Sequence, residues 1–286
     1  MIREALVEKD NPLRPGKAGL VIRLTFLVVL GAITLMPMIW MILSSLQPQA
    51  LSVSFPPNIN PLGFDLRYYQ QFLGRTHVLR WTLNSLIFAG SSTLLTLVVA
   101  SLAGYAFAKI KFPGSKYLFW LYIITLMLPF QVAMIPLYII MTRIGLTDTY
   151  LGLILPAIAS PLSIFLMKQV MQTIPTPLLE SARLDGCNEL QVWKHIIIPL
   201  SKPGIAFLGI ITFVQQWNNF LWPLVITEST AMRPLQVGLT LIREEVPLSY
   251  SLHMAGATYA AIPMIIVFFV FQKHFLRGVT VGAMKG

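Results

Sequence analysis

Four amide side chains (Gln215, Gln216, Asn218 and Asn219) and two indoles (Trp217 and Trp222) fall within eight residues of an otherwise apolar stretch. Amides donate and accept without carrying charge, and an indole offers a flat apolar face, so this chemistry holds neutral polar molecules. On a helix, Gln215, Asn218, Asn219 and Trp222 share one face at spacings of i, i+3, i+4 and i+7. Amides in an apolar setting must find partners. Two readings follow. The amides hydrogen-bond to neighbouring helices while Trp217 and Trp222 sit at an interface, or the face lines a wet path.

Bond-breaking chemistry finds less support. The single cysteine, Cys187, allows neither an intrachain disulfide nor a multi-cysteine metal site. His77, His195, His253 and His274 are scattered without ligand spacing, so no metal is expected. No Gly-x-x-x-x-Gly-Lys-Ser/Thr phosphate loop is present. Neither a paired Ser and His nor a pair of Asp residues occurs in the apolar stretches to activate a nucleophile. No catalytic residue and no cofactor are expected in this chain.

These groups sit in a chain of 286 residues, 56% hydrophobic and 11% charged. A soluble domain carries about 25% charged residues, so the balance points to a membrane. Crossing the hydrocarbon takes roughly 20 apolar residues. Stretches free of Asp, Glu, Lys and Arg give six spans: Leu24–Leu46, Trp81–Ala108, Tyr117–Thr142, Thr149–Met167, Gly204–Thr227 and Leu252–Gln272. The first is too long for a signal-peptide core and lacks a small-residue cleavage site, so it is expected to remain. The net charge of +10 is spread between the apolar blocks rather than gathered as a nucleic-acid patch. Residues 1–23, 109–116, 168–203 and 273–286 hold 15 Lys and Arg, against 6 in 47–80, 143–148 and 228–251. The positive-inside rule makes the first set, with both termini, cytoplasmic.

Prolines recur inside the spans: Pro37, Pro129, Pro136, Pro156, Pro161, Pro223 and Pro263. Kinked helices suit a protein that encloses a path, although proline is common in membrane helices generally. The absence of charge within the spans argues against proton relays, because transporters that use them keep ionisable groups there. Any pumping must draw its energy from a partner.

The loop 173–203 is the longest charged interruption on the cytoplasmic side. Thr176 followed by Pro177 reads as a helix cap and first turn. Leu179, Ala182, Gly186, Leu190 and Trp193 then recur as one apolar helical face, while Glu180, Arg183, Gln191 and Lys194 mark a polar one. Gly186 is unfavourable inside a helix by about 1 kcal/mol relative to Ala and suggests a turn or a close approach. The segment either packs on the bundle's own end or docks a soluble partner.

Its wording resembles the signature of importer-type ABC permeases: Glu-Ala-Ala, three residues, Gly, nine residues, Ile-x-Leu-Pro. The positions here are Glu180, Ser181, Ala182, Gly186, Ile196, Ile198 and Pro199, with Ser181 and Ile198 as mild replacements. Asn84–Gly114, Leu128–Pro156, Trp217–Leu224 and Phe275–Gly286 look like carbohydrate-uptake permeases, nearest the second permease of the maltose and glycerol-3-phosphate systems. The first 80 residues carry little of the likeness.

The resemblance implies an all-α, six-span bundle forming one transmembrane domain over 1–286, in the plasma membrane of a prokaryotic cell. It implies that Glu180, Ser181, Ala182, Asp185, Gly186, Ile196, Ile198 and Pro199 couple to an ATPase, and that the segment around Gln215, Asn218, Asn219 and Trp222 follows the translocation path. Partners would be a second permease, two ATPase subunits carrying ATP and magnesium, and an extracytoplasmic binding protein. The solute would be sugar-like and would cross by alternating access. The competing readings are a secondary transporter or passive channel, and a structural membrane protein.

Overall fold

The computed structural model describes residues 17–47, 63–75 and 77–283. The expected cytoplasmic tail falls largely in 1–16, outside the described residues, as do 48–62, Thr76 and 284–286. Among the described residues every regular element is helical, so the all-α expectation holds.

The helices, in chain order, are α1 (Lys17–Ser45), α2 (Arg67–Leu73), α3 (Val78–Lys109), α4 (Ser115–Ile124), α5 (Phe130–Arg143), α6 (Tyr150–Ile158) and α7 (Pro161–Gln172). They continue as α8 (Thr176–Leu184), α9 (Glu189–Val192), α10 (Lys202–Trp217), α11 (Leu221–Ile226), α12 (Leu235–Glu245) and α13 (Tyr250–Ala283). Three helices are long and apolar enough to cross a membrane by themselves: Gly19–Ser45, Val78–Lys109 and Tyr250–Gln272. They match the first, second and sixth expected spans.

The other three spans are not straight, which corrects the continuous runs read from the sequence. The third, Tyr117–Thr142, bends by 105° between Ser115–Met127 and Phe130–Arg143. Pro129 disfavours a helical residue before it, and Leu128 is extended at φ −85°, ψ 120°. The fourth, Thr149–Met167, bends by 45° at Ala159–Ser160, just before Pro161. The fifth was read as Gly204–Thr227, but its helix stops at Trp217 and α11 begins only at Leu221. Pro223 has no amide to pair with the Asn219 carbonyl, and its ring would clash there if the helix ran on. The run Glu189–Leu200 leads into α10 through an 80° bend.

The chain divides into two compact units, one comprising the chain up to Tyr69 together with Ser249–Thr258, the other Gln70–Leu248 with Tyr259 onward. In the first, Ser45 Oγ lies 2.6 Å from the Tyr69 hydroxyl, and Ser251 Oγ donates to the Gln47 carbonyl at 2.8 Å. The second is organised around α3, which packs against α7, α10 and α6. Between the buried rings of Trp81, Phe88 and Tyr105, its buried face is largely small or polar, with Ser85, Ala89, Ser92, Thr96, Ala100, Ser101 and Gly104. In a membrane, where apolar side chains gain little by leaving lipid, small residues let helices approach and gain contact. At Gly104 α3 and α7 approach closely: a Cβ there would sit 2.8 Å from the Met167 Cβ and 2.9 Å from the Lys168 amide nitrogen.

Carbonyls freed by the prolines are taken up by side chains from other helices. Pro161 leaves the Ala157 carbonyl without its helical donor, and Thr96 Oγ1 donates to it at 3.2 Å. The Ala159 carbonyl at the same break accepts from the Tyr122 hydroxyl at 2.7 Å. Pro156 likewise frees the Gly152 carbonyl, and the Trp222 indole donates to it at 3.0 Å. The bends are therefore held in place by specific donors.

Candidate functional site

The breaks in the third, fourth and fifth spans meet at one cavity of about 520 Å³. Phe130 comes from the first break, Ala159, Ser160 and Pro161 from the second, and Asn218, Asn219 and Phe220 from the third. Gln215 and Gln216 from the end of α10 and Pro156, Ala157, Leu221 and Trp222 complete the wall. The lining offers amides, a hydroxyl and aromatic rings, and none of these residues is charged. Irregular backbone at membrane depth is tolerated where it is buried in protein or lines a watery cavity.

Gln215, Asn218, Asn219 and Trp222 do come together, but not as one helical face, because the helix they would share is interrupted. Asn218 instead ends α10: its backbone amide reaches the Val214 carbonyl at 3.1 Å and its Nδ2 reaches the same oxygen at 2.9 Å. Asn219 Nδ2 donates to Gln216 Oε1 at 3.2 Å. Gln215 and Asn218 are exposed, whereas Trp222 is 2% exposed and spends its N–H on Gly152. Trp217 is 1% exposed, stacked on Phe213 and bonded through Nε1 to the Ala260 carbonyl at 3.1 Å. Neither indole is an interfacial anchor; both are packed inside the protein.

The second assembly is the loop between α7 and α10. The structure separates it into α8 and α9, where periodicity alone suggested one continuous face from Leu179 to Trp193. Gly186 lies in the turn between them at φ +86°, with nothing within 4 Å of where a Cβ would be, so a turn and not a close approach explains the glycine. The turn resets the helical phase. Leu179 and Ala182 are buried as expected, but Leu190 is 63% exposed and Val192 takes its place inside. The cap also moves by one residue, since α8 begins at Thr176 with Pro175 before it. Asn188 and Gln191 form a reciprocal capping box at the start of α9, at 2.8 and 2.9 Å. Past Val192 the helix widens into a π-turn over Trp193–Ile197.

The loop turns an apolar side to the bundle and leaves a polar side exposed. Leu179, Ala182, Val192 and Ile197 share an apolar cluster with Tyr105, Met167, Met171 and Leu208 at the end of the bundle. Glu180, Ser181, Asp185 and Gly186 stay exposed on the other side with Leu184, which is 89% exposed. Of the remaining signature positions, Ile196 and Ile198 are half-buried and Pro199 is exposed.

With this geometry in view, the chain can be set beside known proteins. Residues 96–281 match the family described as binding-protein-dependent transport system inner membrane component. The chain belongs to that family. Among its relatives this permease is 37% identical over 265 residues to the arabinooligosaccharides transport system permease protein AraQ of Bacillus subtilis (strain 168), covering 91% of this chain and 94% of that one. It is 29% identical to the lactose transport system permease protein LacG of Rhizobium radiobacter, covering 93% and 96%. It is 36% identical over 198 residues to the sn-glycerol-3-phosphate transport system permease protein UgpE of Yersinia pestis bv. Antiqua (strain Antiqua), covering 68% and 70%. A chain from a bacterial ABC transporter involved in the import of the acidic polysaccharide alginate has the same fold, with TM-score 0.79 at 23% identity, covering 92% of this permease and 99% of that chain. The reading as an importer permease thus holds over the channel, secondary-transporter and structural readings.

Sequence reasoning missed several residues of the permease's two assemblies. Ser160 and Phe130 line the cavity although neither stands in a polar run; their only signal was a neighbouring proline. Glu189 carries contacts that periodicity did not suggest. Its carboxylate pairs with Arg183, with Nε to Oε1 at 2.8 Å and Nη2 to Oε2 at 3.2 Å, and accepts a bond from Tyr105. Hydrogen bonds from Arg183 and then from Tyr105 hold the Glu189 carboxyl below its ordinary pKa, and the same bond to Glu189 raises that of Arg183. The ion pair therefore persists through neutral pH and is lost only as the pH falls through that lowered value.

Proposed function

We propose that this permease carries a neutral sugar or oligosaccharide into the cell by alternating access, as half of a pair with a second permease. Two separate ATPase subunits would dock on the exposed face of α8 and α9, around Glu180–Gly186, and an extracytoplasmic binding protein would deliver the solute. The membrane would be the prokaryotic plasma membrane, with ATP and magnesium on the ATPases.

The observation that carries the reading is the cavity of about 520 Å³ where three broken spans meet. Amides and a hydroxyl can exchange hydrogen bonds with sugar hydroxyls, and aromatic rings can lie against apolar ring faces. An anionic solute in a low-dielectric cavity calls for a cationic partner, and the lining of this chain supplies none. The names of AraQ and LacG, both sugar systems, support the same class.

The test is Asn218→Leu and Asn219→Leu in the reconstituted complex. Each change removes an amide from the cavity wall and keeps the branch at Cγ. Uptake is expected to fall by roughly tenfold, the effect of losing one or two hydrogen bonds of about 1 kcal/mol, with assembly of the complex retained. Normal uptake by both variants would return the amides to a helix-packing role.

A further inference from the structure

One helix fastens the docking loop to the bundle. Lys109, in the last turn of α3, donates through Nζ to the Gln172 carbonyl at 3.2 Å and to the Ile174 carbonyl. The Gln172 carbonyl ends α7, where a cation is favoured, and Ile174 follows in the link to α8. One turn earlier on α3, the Tyr105 hydroxyl donates to Glu189 Oε2. The same carboxylate accepts both bonds from Arg183, across the Gly186 turn. A single side chain thus joins α8, α9 and α3.

The setting distinguishes this from ordinary packing. Tyr105 is 3% exposed inside the apolar cluster, and its hydroxyl reaches out of that cluster to a carboxylate that is 48% exposed. Apolar contacts around Leu179 and Val192 resist separation but specify direction weakly. A charge-assisted bond is shorter, stronger and directional. At its other end α3 grips a second segment. Trp81 Nε1 donates to the Thr230 carbonyl at 2.7 Å, Asn84 Nδ2 to the Ala231 and Arg233 carbonyls at 2.8 and 3.0 Å, and the Leu235 amide to Ser85 Oγ at 2.8 Å. A displacement given to α3 at the docking loop is delivered to that segment by a helix with no break inside it.

We propose that Glu189, gripped by Tyr105 and Arg183, is the positioning strut through which movement of the docked ATPase subunits enters the bundle along α3. The proposal rests on the reading of α8 and α9 as the docking element. Glu189 touches neither solute nor nucleotide; it acts by fixing the docking helices to the helix that must move with them.

The experiment measures solute molecules transported per ATP hydrolysed by the complete complex in proteoliposomes. Tyr105→Phe removes the hydroxyl and keeps the ring; Glu189→Gln keeps the shape and removes the charge. Each is expected to lower the ratio about threefold to tenfold, within the range of coupling changes produced by residues between sites, while the ATPase subunits still co-purify. A wild-type ratio in both variants overturns the strut. So does a lower yield of complex whose remaining fraction keeps the wild-type ratio, because that outcome marks a purely structural contact. The docking reading is tested separately by Leu184→Cys in a Cys187→Ser background, carrying a thiol-linked photocrosslinker. Absence of an adduct with the ATPase defeats docking itself, whereas an adduct together with unchanged ratios defeats the strut alone.

Discussion

Trp222 shows how a residue can be found for the wrong reason. Its position beside three amides was visible in the sequence, and the cavity does include it. Yet its indole N–H replaces the donor that Pro156 cannot supply to Gly152, a pairing across 70 residues that no local pattern encodes. Trp222→Phe is therefore expected to leave an unpaired buried carbonyl, lowering stability by about 1–3 kcal/mol. The thermal midpoint of the purified complex should drop while the solute concentration for half-maximal uptake stays unchanged. Gly186 was legible as a turn, but only the structure separates a backbone demand from crowding. Its left-handed conformation is uncomfortable for β-branched residues and tolerated by asparagine. Gly186→Val should abolish coupled transport, and Gly186→Asn should retain a measurable part of it. Equal loss in uptake assays of the two would place the constraint in the partner's groove instead of in the φ angle.

Helices were easier to foresee than their breaks. Charge-free runs marked the membrane segments because lipid excludes charge over a fixed thickness, and that rule needs no partner. Prolines marked where a helix could bend, but Pro37 and Pro263 lie within helices that the structure keeps whole, while Pro129 stands at a bend of 105°. What decides between them is whether neighbouring helices offer donors and space, and a single sequence does not state that. The loop between α7 and α10 failed in a related way: the apolar repeat continued across Gly186 by accident of spacing, and the turn there moved Leu190 outward. Close helix approaches were equally hidden. At Gly104 the obstruction to a side chain is the Cβ and backbone of α7, which cannot swing away. Gly104→Val should force α3 and α7 apart at a cost of about 1–3 kcal/mol, read as a lower thermal midpoint and a lower yield of assembled complex. Gly90, with open space around it, should accept the same change with far less effect.

At the scale of the whole chain, the third span decides which loops lie on which side of the membrane. Its two arms, Ser115–Met127 and Phe130–Arg143, are each about 20 Å long at ~1.5 Å per residue, short of the ~30 Å hydrocarbon thickness. Bent by 105°, they either cross together or enter and return on one side. Re-entry would put residues 109–116 and 143–148 on the same face and reverse the placement of every later segment. The charge count opposes this, because those later segments include 168–203, whose four Lys and Arg would then face outward. Crossing is therefore expected. In a Cys187→Ser background, Lys116→Cys and Lys202→Cys should resist an impermeant thiol reagent applied to intact cells, and Thr147→Cys should react. Protection of Thr147→Cys with labelling of Lys202→Cys would identify a re-entrant third segment, and would move α8 and α9 to a side where no ATPase could reach them.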